Sequence, residues 1–196
     1  NLIGDTGITT FDIAMSPDGV LYGVDSSGNE LYTLDRLTAK ATHVVTLSPQ
    51  GFVNSLTFAQ QRALYGCQGT NLVKIHTETG VVTVLGDIGV GSAGDMVFFN
   101  NNLYMSSTDN TLILVNIGDP AHSTVIGQIP LTYGLATVYI SEGFSGGYHL
   151  YGTAGDSQKI YEINPHNAKI SNTAVLPEFG DGQATNGATS SQFTLL

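Results

Sequence analysis

The sequence has little of what most soluble domains use to cover a surface or lock a core. Only 11% of its 196 residues are charged, it has no tryptophan, and Cys67 is its single cysteine. One cysteine excludes an intrachain disulfide, and its apolar surroundings are typical of a buried structural thiol. The 41% hydrophobic content excludes a disordered chain. Small polar residues must therefore cover the surface, as they do more often in secreted β-proteins than in cytosolic helical ones.

Positive charge is the scarcest property of all. Six Lys and Arg residues stand against sixteen Asp and Glu, which gives a net charge of -10 without any basic cluster. Such a chain repels nucleic-acid phosphates and anionic membrane surfaces. No apolar run approaches the roughly 18 residues that a membrane span needs. The acidic surplus suits Ca²⁺ and an extracellular or cell-surface location, and the start at Asn1 leads us to expect a processed or excised piece.

What the sequence does contain is an internal repeat. An apolar residue followed by Tyr begins at Leu21, Leu64, Leu103 and Leu150, that is, at steps of 43, 39 and 47 residues. A second apolar pair follows each of these anchors eight to ten residues later, and a polar turn such as 76–80 then leads into a β-branched run. Short strands between turn residues, without a helical period, predict an all-β fold.

Each unit has the pattern of a four-stranded sheet, and a period near 42 residues with four strands per unit predicts a β-propeller. A single small sheet cannot bury both of its faces, whereas sheets arranged around an axis can. We expect one domain over 1–196, with repeats at approximately 8–49, 50–90, 91–130 and 131–178. A partial fifth unit comprises 183–196 plus 1–7, because Leu2-Ile3-Gly4-Asp5 matches an outer strand and 186–189 match an inner one.

The blade count has three interpretations. The preferred one is five blades, the last of them incomplete or composed of both termini. The first alternative is four blades with decorated ends. The second is a truncated ring whose missing strands come from another chain, which would allow self-association through the incomplete blade.

At these residues the chain resembles bacterial propellers of the NHL, YVTN and gluconolactonase-like families. The segment 11–24, with Pro17-Asp18-Gly19 before Leu21-Tyr22, is similar to their strand-turn-strand signature, and 71–80 is similar to their Thr-Gly turn. The resemblance covers almost the whole chain and implies the fold. Such propellers include enzymes, binders and adhesins, so the resemblance implies no single activity. Six to eight blades are common among them, and this shorter chain departs from that pattern, which weakens any transfer of enzymatic activity.

The first candidate site is a set of oxygen-bearing side chains at the start of each inner strand. Aligned on the repeat, they would ring the axis at one level, with Gly134 in the fourth unit, and would offer Ca²⁺ the ligands it prefers. The predicted metal-binding residues are Asp12, Asn54, Asp95 and Asn186. The alternative is that these groups cap neighbouring strands or bind channel waters.

The second candidate site is a ligand-binding rim. Polar residues in the loops after the second strands would lie on one rim, where exposed Tyr and Asn or Asp could bind sugars, and Phe144 and Tyr148 lie on a Gly-rich insertion. The predicted rim residues are Asp25, Ser26, Asp109, Asn110, Phe144, Tyr148 and Asp156. Ordinary polar turns are the alternative for the loops, and a flexible hairpin is the alternative for the insertion.

These observations favour a secreted or cell-surface recognition module that binds protein or glycan through one rim, in adhesion or surface assembly. A metal-dependent hydrolase or lactonase with its site in the channel is the first alternative, and a structural subunit completed by a partner's strand is the second. The five histidines are scattered, which argues against zinc, and no nucleophile elbow supports a Ser-His-Asp triad, although remote members could still form one.

Overall fold

In the computed structural model, which describes residues 3–140, 146–154 and 159–175, the chain is a β-propeller of four-stranded antiparallel sheets. Each sheet is one blade, and its strands follow one another outward from the axis in chain order. Blade one contains β1 (Thr10–Met15), β2 (Leu21–Asp25), β3 (Glu30–Leu34) and β4 (Ala41–Thr46). Blade two contains β5 (Val53–Phe58), β6 (Leu64–Gln68), β7 (Asn71–Ile75) and β8 (Val82–Asp87). Blade three contains β9 (Ser92–Phe99), β10 (Asn102–Ser107), β11 (Thr111–Val115) and β12 (Thr124–Gln128). Blade four contains β13 (Thr132–Ile140), β14 (Gly147–Ala154), β15 (Lys159–Ile163) and β16 (Ile170–Val175).

The predicted Leu-Tyr anchors lie in the second strands, at or next to the start in blades one to three and near the middle of β14 in blade four. In blades one and two, for example, Leu21 pairs with Met15 and Leu64 pairs with Phe58. Leucine at this position is buried in blades two, three and four, because alternate residues of a strand face the neighbouring blade. Hairpins join the strands of a blade, and longer links join one blade to the next.

Apolar side chains fill the space between successive blades. Leu31 and Leu56 belong to the core between blades one and two, Met105 to the core between two and three, and Leu135 to the core between three and four. The inner strands pack in the order β1, β5, β9, β13. Cys67 lies in the second core, where burial raises the pKa of its thiol to about 11, as expected of a structural cysteine.

The described residues form four blades, so the structure corrects the preferred count of five and agrees with the alternative of four. The segment 183–196, which was expected to supply an inner strand, lies outside the described residues. Residues 3–7 form no strand, yet Thr6 O accepts the N–H of Ala41 at 3.2 Å, just as Ser48 O accepts that of the equivalent Val82 at 2.8 Å. The N-terminal segment thus contacts the outer strand β4 of blade one without forming the outer strand that was expected of it.

Strand direction assigns the connections to two rims. The front rim carries the β2–β3 type turns (26–29, 69–70 and 108–110) and the links between blades (47–52, 88–91 and 129–131). The back rim carries the hairpins that join first to second and third to fourth strands, among them 16–20, 35–40 and 76–81. In the described part of the chain no helix is long and apolar enough to cross a membrane.

Candidate binding site at the channel mouth

The inner strands present four equivalent residues to the axis near the front rim. Strand pairing places Asp12 opposite Val24, Ser55 opposite Cys67 and Gly134 opposite Thr153, and Asp95 precedes Met96 in the same register. The equivalent residue in blade two is therefore Ser55. The alignment that put Asn54 at this level is wrong by one residue, because Ser55 stands ten residues before Tyr65, just as Asp12 stands ten residues before Tyr22.

Asp12 and Asp95 bind backbone N–H groups of two blades each. Asp12 Oδ1 accepts the N–H of Ile13 at 2.8 Å, and its Oδ2 accepts that of Leu56 in blade two at 2.6 Å. Asp95 Oδ1 accepts the N–H of Met96 at 2.6 Å, and its Oδ2 accepts that of Leu135 in blade four at 2.6 Å. The four donors are equivalent residues, one per blade. Two carboxyl groups thus satisfy every donor at this level of the axis.

The two carboxyl groups also contact each other. Asp12 is 1% exposed and Asp95 is 0% exposed. Burial, then the neighbouring Asp95 carboxyl, raises the pKa of Asp12 well above its usual value, although hydrogen bonds from Leu56 and Ile13 oppose the rise. Two adjacent buried carboxylates repel each other strongly, which favours the protonated form of Asp12.

Two further oxygens lie at or next to this level, and neither has a hydrogen-bond partner among the described residues. Ser55 Oγ and Asn54 Oδ1 are buried and unsatisfied, while Asn54 Nδ2 donates to Ser92 O at 2.9 Å. Of the predicted metal ligands, Asp12 and Asp95 come together and Asn54 lies next to their level; Asn186 lies outside the described residues. Within the described ranges no three His, Cys, Asp or Glu side chains converge.

Above the acid pair, the channel opens to the front rim through a mouth lined by aromatic side chains. The residue before each axial position is Phe11, Asn54, Gly94 or Tyr133, and all four line a depression of about 350 Å³ together with Phe52. The rings of Phe11 and Phe52 meet edge to face with centroids 4.7 Å apart. They remain 37% and 47% exposed, which is unusual for phenylalanine. We call this depression the channel mouth.

The predicted rim residues in the β2–β3 type turns shape those turns. Asp25 Oδ1 accepts N–H groups of Glu30 at 3.0 Å and Asn29 at 3.2 Å and the hydroxyl of Ser27 at 2.8 Å. Burial opposes the charge of Asp25, but these hydrogen bonds outweigh it and lower its pKa. Ser26 N–H donates to Thr9 O at 2.8 Å, which ties the turn to the start of β1. A turn-forming role thus accounts for both residues, and their role in binding stays a prediction.

The other predicted rim residues do not all share this rim. Asp109 and Asn110 are exposed in the β10–β11 turn, where Asn110 adopts φ 57°. Tyr148 lies at the opposite end of the molecule, near the start of β14, with its ring 5.2 Å from that of Tyr139. Phe144 and Asp156 lie outside the described residues. The structure therefore corrects the prediction of a single rim. Tyr148 lies on the back rim, because connections from a first strand to a second strand are found there, whereas the β2–β3 type turns lie on the front rim.

Sequence reasoning missed the channel mouth. Phe11 and Tyr133 read as ordinary strand residues, and Phe52 reads as part of a link between blades. The available signal was their position just before the axial level, which Phe11 and Tyr133 precede by one residue and Phe52 by three. An alignment with Ser55 at that level would have revealed it.

No family model matches the chain, and no curated protein sequence does. Solved structures do match. The PQQ-bound aldose sugar dehydrogenase from Streptomyces coelicolor aligns with a TM-score of 0.64 at 11% identity, over 97% of this chain and 87% of that one. A gluconolactonase from Xanthomonas campestris aligns with a TM-score of 0.54 at 11% identity, over 92% and 79%.

A chain of the nidogen/laminin complex aligns with a TM-score of 0.59 at 15% identity, over 90% of this chain and 66% of that one. These matches confirm the predicted resemblance to propellers at the level of the fold. At such identities they show the fold alone, and their names span enzymes as well as a protein complex.

Proposed function

We propose that the protein is a non-catalytic recognition module that binds a protein or glycan partner through its front rim, centred on the channel mouth. The observation that carries this proposal is the exposure of Phe11 and Phe52, which contact each other but leave large parts of both rings open to solvent. Exposed aromatic side chains beside a depression are typical of binding surfaces. Phe11 lies on the inner strand β1 and Phe52 directly precedes the inner strand β5, and their contact holds the two rings together before a partner arrives, which lowers the entropy cost of binding.

The axial carboxyl groups support binding over catalysis. A general base must reach the proton that it removes, directly or through one water. Asp12 and Asp95 are almost completely buried, and each of their oxygens already accepts a backbone N–H. The pair therefore serves to join the blades. The low charge content and the acidic surplus support a place outside the cell, in adhesion or surface assembly, as part of the proposal.

A metal-dependent hydrolase is the second candidate, and the unsatisfied oxygens of Ser55 and Asn54 beside the acid pair favour it. These oxygens, with the remaining lone pairs of Asp12 and Asp95, are of the kind that Ca²⁺ prefers. Bound Ca²⁺ would polarise a lactone or ester carbonyl. A lactone and ester turnover screen with added Ca²⁺ separates the two candidates. Turnover that disappears in Asp95→Ala would favour the hydrolase, and its absence in the wild type favours the recognition module.

Binding itself is tested by screening the whole chain against a glycan array and a peptide library. We expect hits that are lost in Phe11→Ala and kept in Leu37→Ser, which removes an exposed apolar side chain from the back rim. Hits that survive Phe11→Ala unchanged would contradict the front rim as the binding surface. Self-association through an incomplete blade stays a prediction. Light scattering tests it, because a clean monomer would contradict strand exchange.

A further inference from the structure

Resting on the proposed function, we infer that the partner is a protein segment that inserts a basic side chain, Lys or Arg, into the channel mouth. Three independent features of the molecule meet at this point: aromatic faces, the distribution of surface charge and the buried acid pair. Each of them favours a cation.

The aromatic side chains supply the first feature. Phe11, Phe52 and Tyr133 come from blades one, two and four and surround one depression. An aromatic face attracts a cation that lies within about 6 Å of its centre, and the attraction grows when water is excluded. The edge-to-face contact of Phe11 with Phe52 holds the two rings at 73° to each other, so they present faces in different directions around the same space.

Surface charge supplies the second feature. Five of the six basic side chains lie on the back rim or at the back ends of strands. They are Arg36, Lys40, Arg62, Lys74 and Lys169. Among the described residues, Lys159 is the one basic side chain at the front, where it faces a larger number of acids in or beside the front turns. These acids are Asp25, Glu30, Asp87 and Asp109.

Several of these front acids are held in the charged form. Hydrogen bonds from Thr70 and Gly89 lower the pKa of Asp87, and those around Asp25 lower its pKa despite partial burial. The back rim also carries acids, Asp18, Asp35 and Glu78 among them, but there the five basic side chains balance them, and Arg62 pairs with Asp18 at 2.9 Å. Among the described residues the front rim is therefore the more negative face, and a basic segment would be steered toward it.

The acid pair supplies the third feature. Asp12 directly follows Phe11, and Asp95 directly follows Gly94, so the acid pair lies directly beneath the mouth. Low-dielectric walls screen negative charge on this pair less than water does. A basic side chain gains more from such a charge than a neutral sugar does. The polar side chains lining the mouth are Thr9, Thr10, Asn54 and Tyr133, and the amide nitrogen of Asn54 is already engaged with Ser92.

The test is a titration of the whole protein with a fluorescein-labelled decapeptide of alternating Lys and Gly, measured by anisotropy at low and physiological salt. A Glu-Gly decapeptide and a neutral Ser-Gly decapeptide serve as matched probes. Phe52→Leu keeps apolar area and removes the aromatic face, so we expect it to weaken Lys-Gly binding about 3- to 10-fold. Glu78→Gln removes one acid from the back rim, and we expect it to change binding less than 2-fold.

Four outcomes separate the inference from the proposed function. Loss of Lys-Gly binding in Phe52→Leu but not in Glu78→Gln supports the inference. Equal effects of the two variants mean non-specific attraction to an acidic protein and overturn it. Binding of the Ser-Gly peptide or of a neutral oligosaccharide that depends on Phe52, without Lys-Gly binding, overturns the cationic partner and leaves the front rim as the binding surface. No mouth-dependent binding of any probe overturns both.

Discussion

Asp12 and Asp95 occupy equivalent positions two blades apart, and each carboxyl group joins its own inner strand to that of the next blade. Their four oxygens meet the N–H groups of one equivalent residue in every blade. Inner strands have no neighbour on the axial side, so these donors would otherwise be buried without partners. The pair therefore supplies acceptors for these four backbone N–H groups. Because the pair lies next to the channel mouth, the residues that stabilise the inner strands adjoin the proposed binding surface.

The first prediction concerns this pair. Asp95→Ala leaves the N–H groups of Met96 and Leu135 buried without an acceptor, and we expect it to lower the free energy of unfolding by about 2–4 kcal/mol. Ser55→Ala is the matched control at the equivalent position of blade two. Because Ser55 Oγ has no hydrogen-bond partner, we expect a change below about 0.5 kcal/mol. Urea denaturation of both variants measures the difference, and similar losses would contradict the assignment.

The second prediction is a pH dependence with a definite sign. The folded state raises the pKa of Asp12 and so binds its proton more tightly than the unfolded chain does. Stability should therefore fall as pH rises from about 3.9, the unfolded value, toward the raised folded value. Asp12→Asn removes this titration, so the stability of the wild type minus that of the variant should decline over the same window. Urea denaturation from pH 4 to 8 tests it, and a flat or rising difference would contradict it.

The third prediction compares equivalent turn positions on the back rim. Ala39 and Gly80 both have positive φ, 64° and 71°. A Cβ on Gly80 would lie 2.2 Å from Thr46 O, so we expect Gly80→Ala to cost about 2–4 kcal/mol. Ala39→Gly removes the strain of a side chain in the left-handed conformation, so we expect it to raise the free energy of unfolding by about 0.5 kcal/mol. Thermal melting compares the two, and a stable Gly80→Ala variant would show that the turn tolerates a side chain.

The fourth prediction concerns Ca²⁺. Since every carboxyl oxygen of the axial pair accepts an N–H and burial disfavours the charged form of Asp12, we expect the melting temperature to be the same with added Ca²⁺ and with chelator, within about 1 °C. A rise of several degrees that disappears in Asp95→Ala would contradict this and favour the hydrolase. The same rise in the wild type and in Asp95→Ala would place a cation elsewhere.

The repeat could be predicted because the Leu-Tyr anchors at Leu21, Leu64, Leu103 and Leu150 mark one strand in every blade. The blade count could not, because sequence likeness at the termini does not say whether a segment pairs as a strand. Asn54 was assigned to the axis by an alignment one residue out of register, since counting ten residues back from Tyr65, as from Tyr22 to Asp12, gives Ser55.

The candidate site was predicted only in part. Sequence reasoning found Asp12 and Asp95 and proposed capping of neighbouring strands as one role for them, which is what the structure shows. It could not find that each reaches the next blade, because that contact joins residues 40 or more positions apart. The channel mouth escaped for the same reason, since its aromatic rings come together only when the blades pack around the axis.

The most direct test of the central claim is a comparison of Phe11→Ala and Leu37→Ser in one binding screen of the whole chain, with folding of both variants checked by urea denaturation. The account predicts that Phe11→Ala abolishes or weakens the partner hits at least about 5-fold, while Leu37→Ser leaves them unchanged. Hits that are lost in Leu37→Ser and kept in Phe11→Ala would contradict it, because the binding surface would then be the back rim.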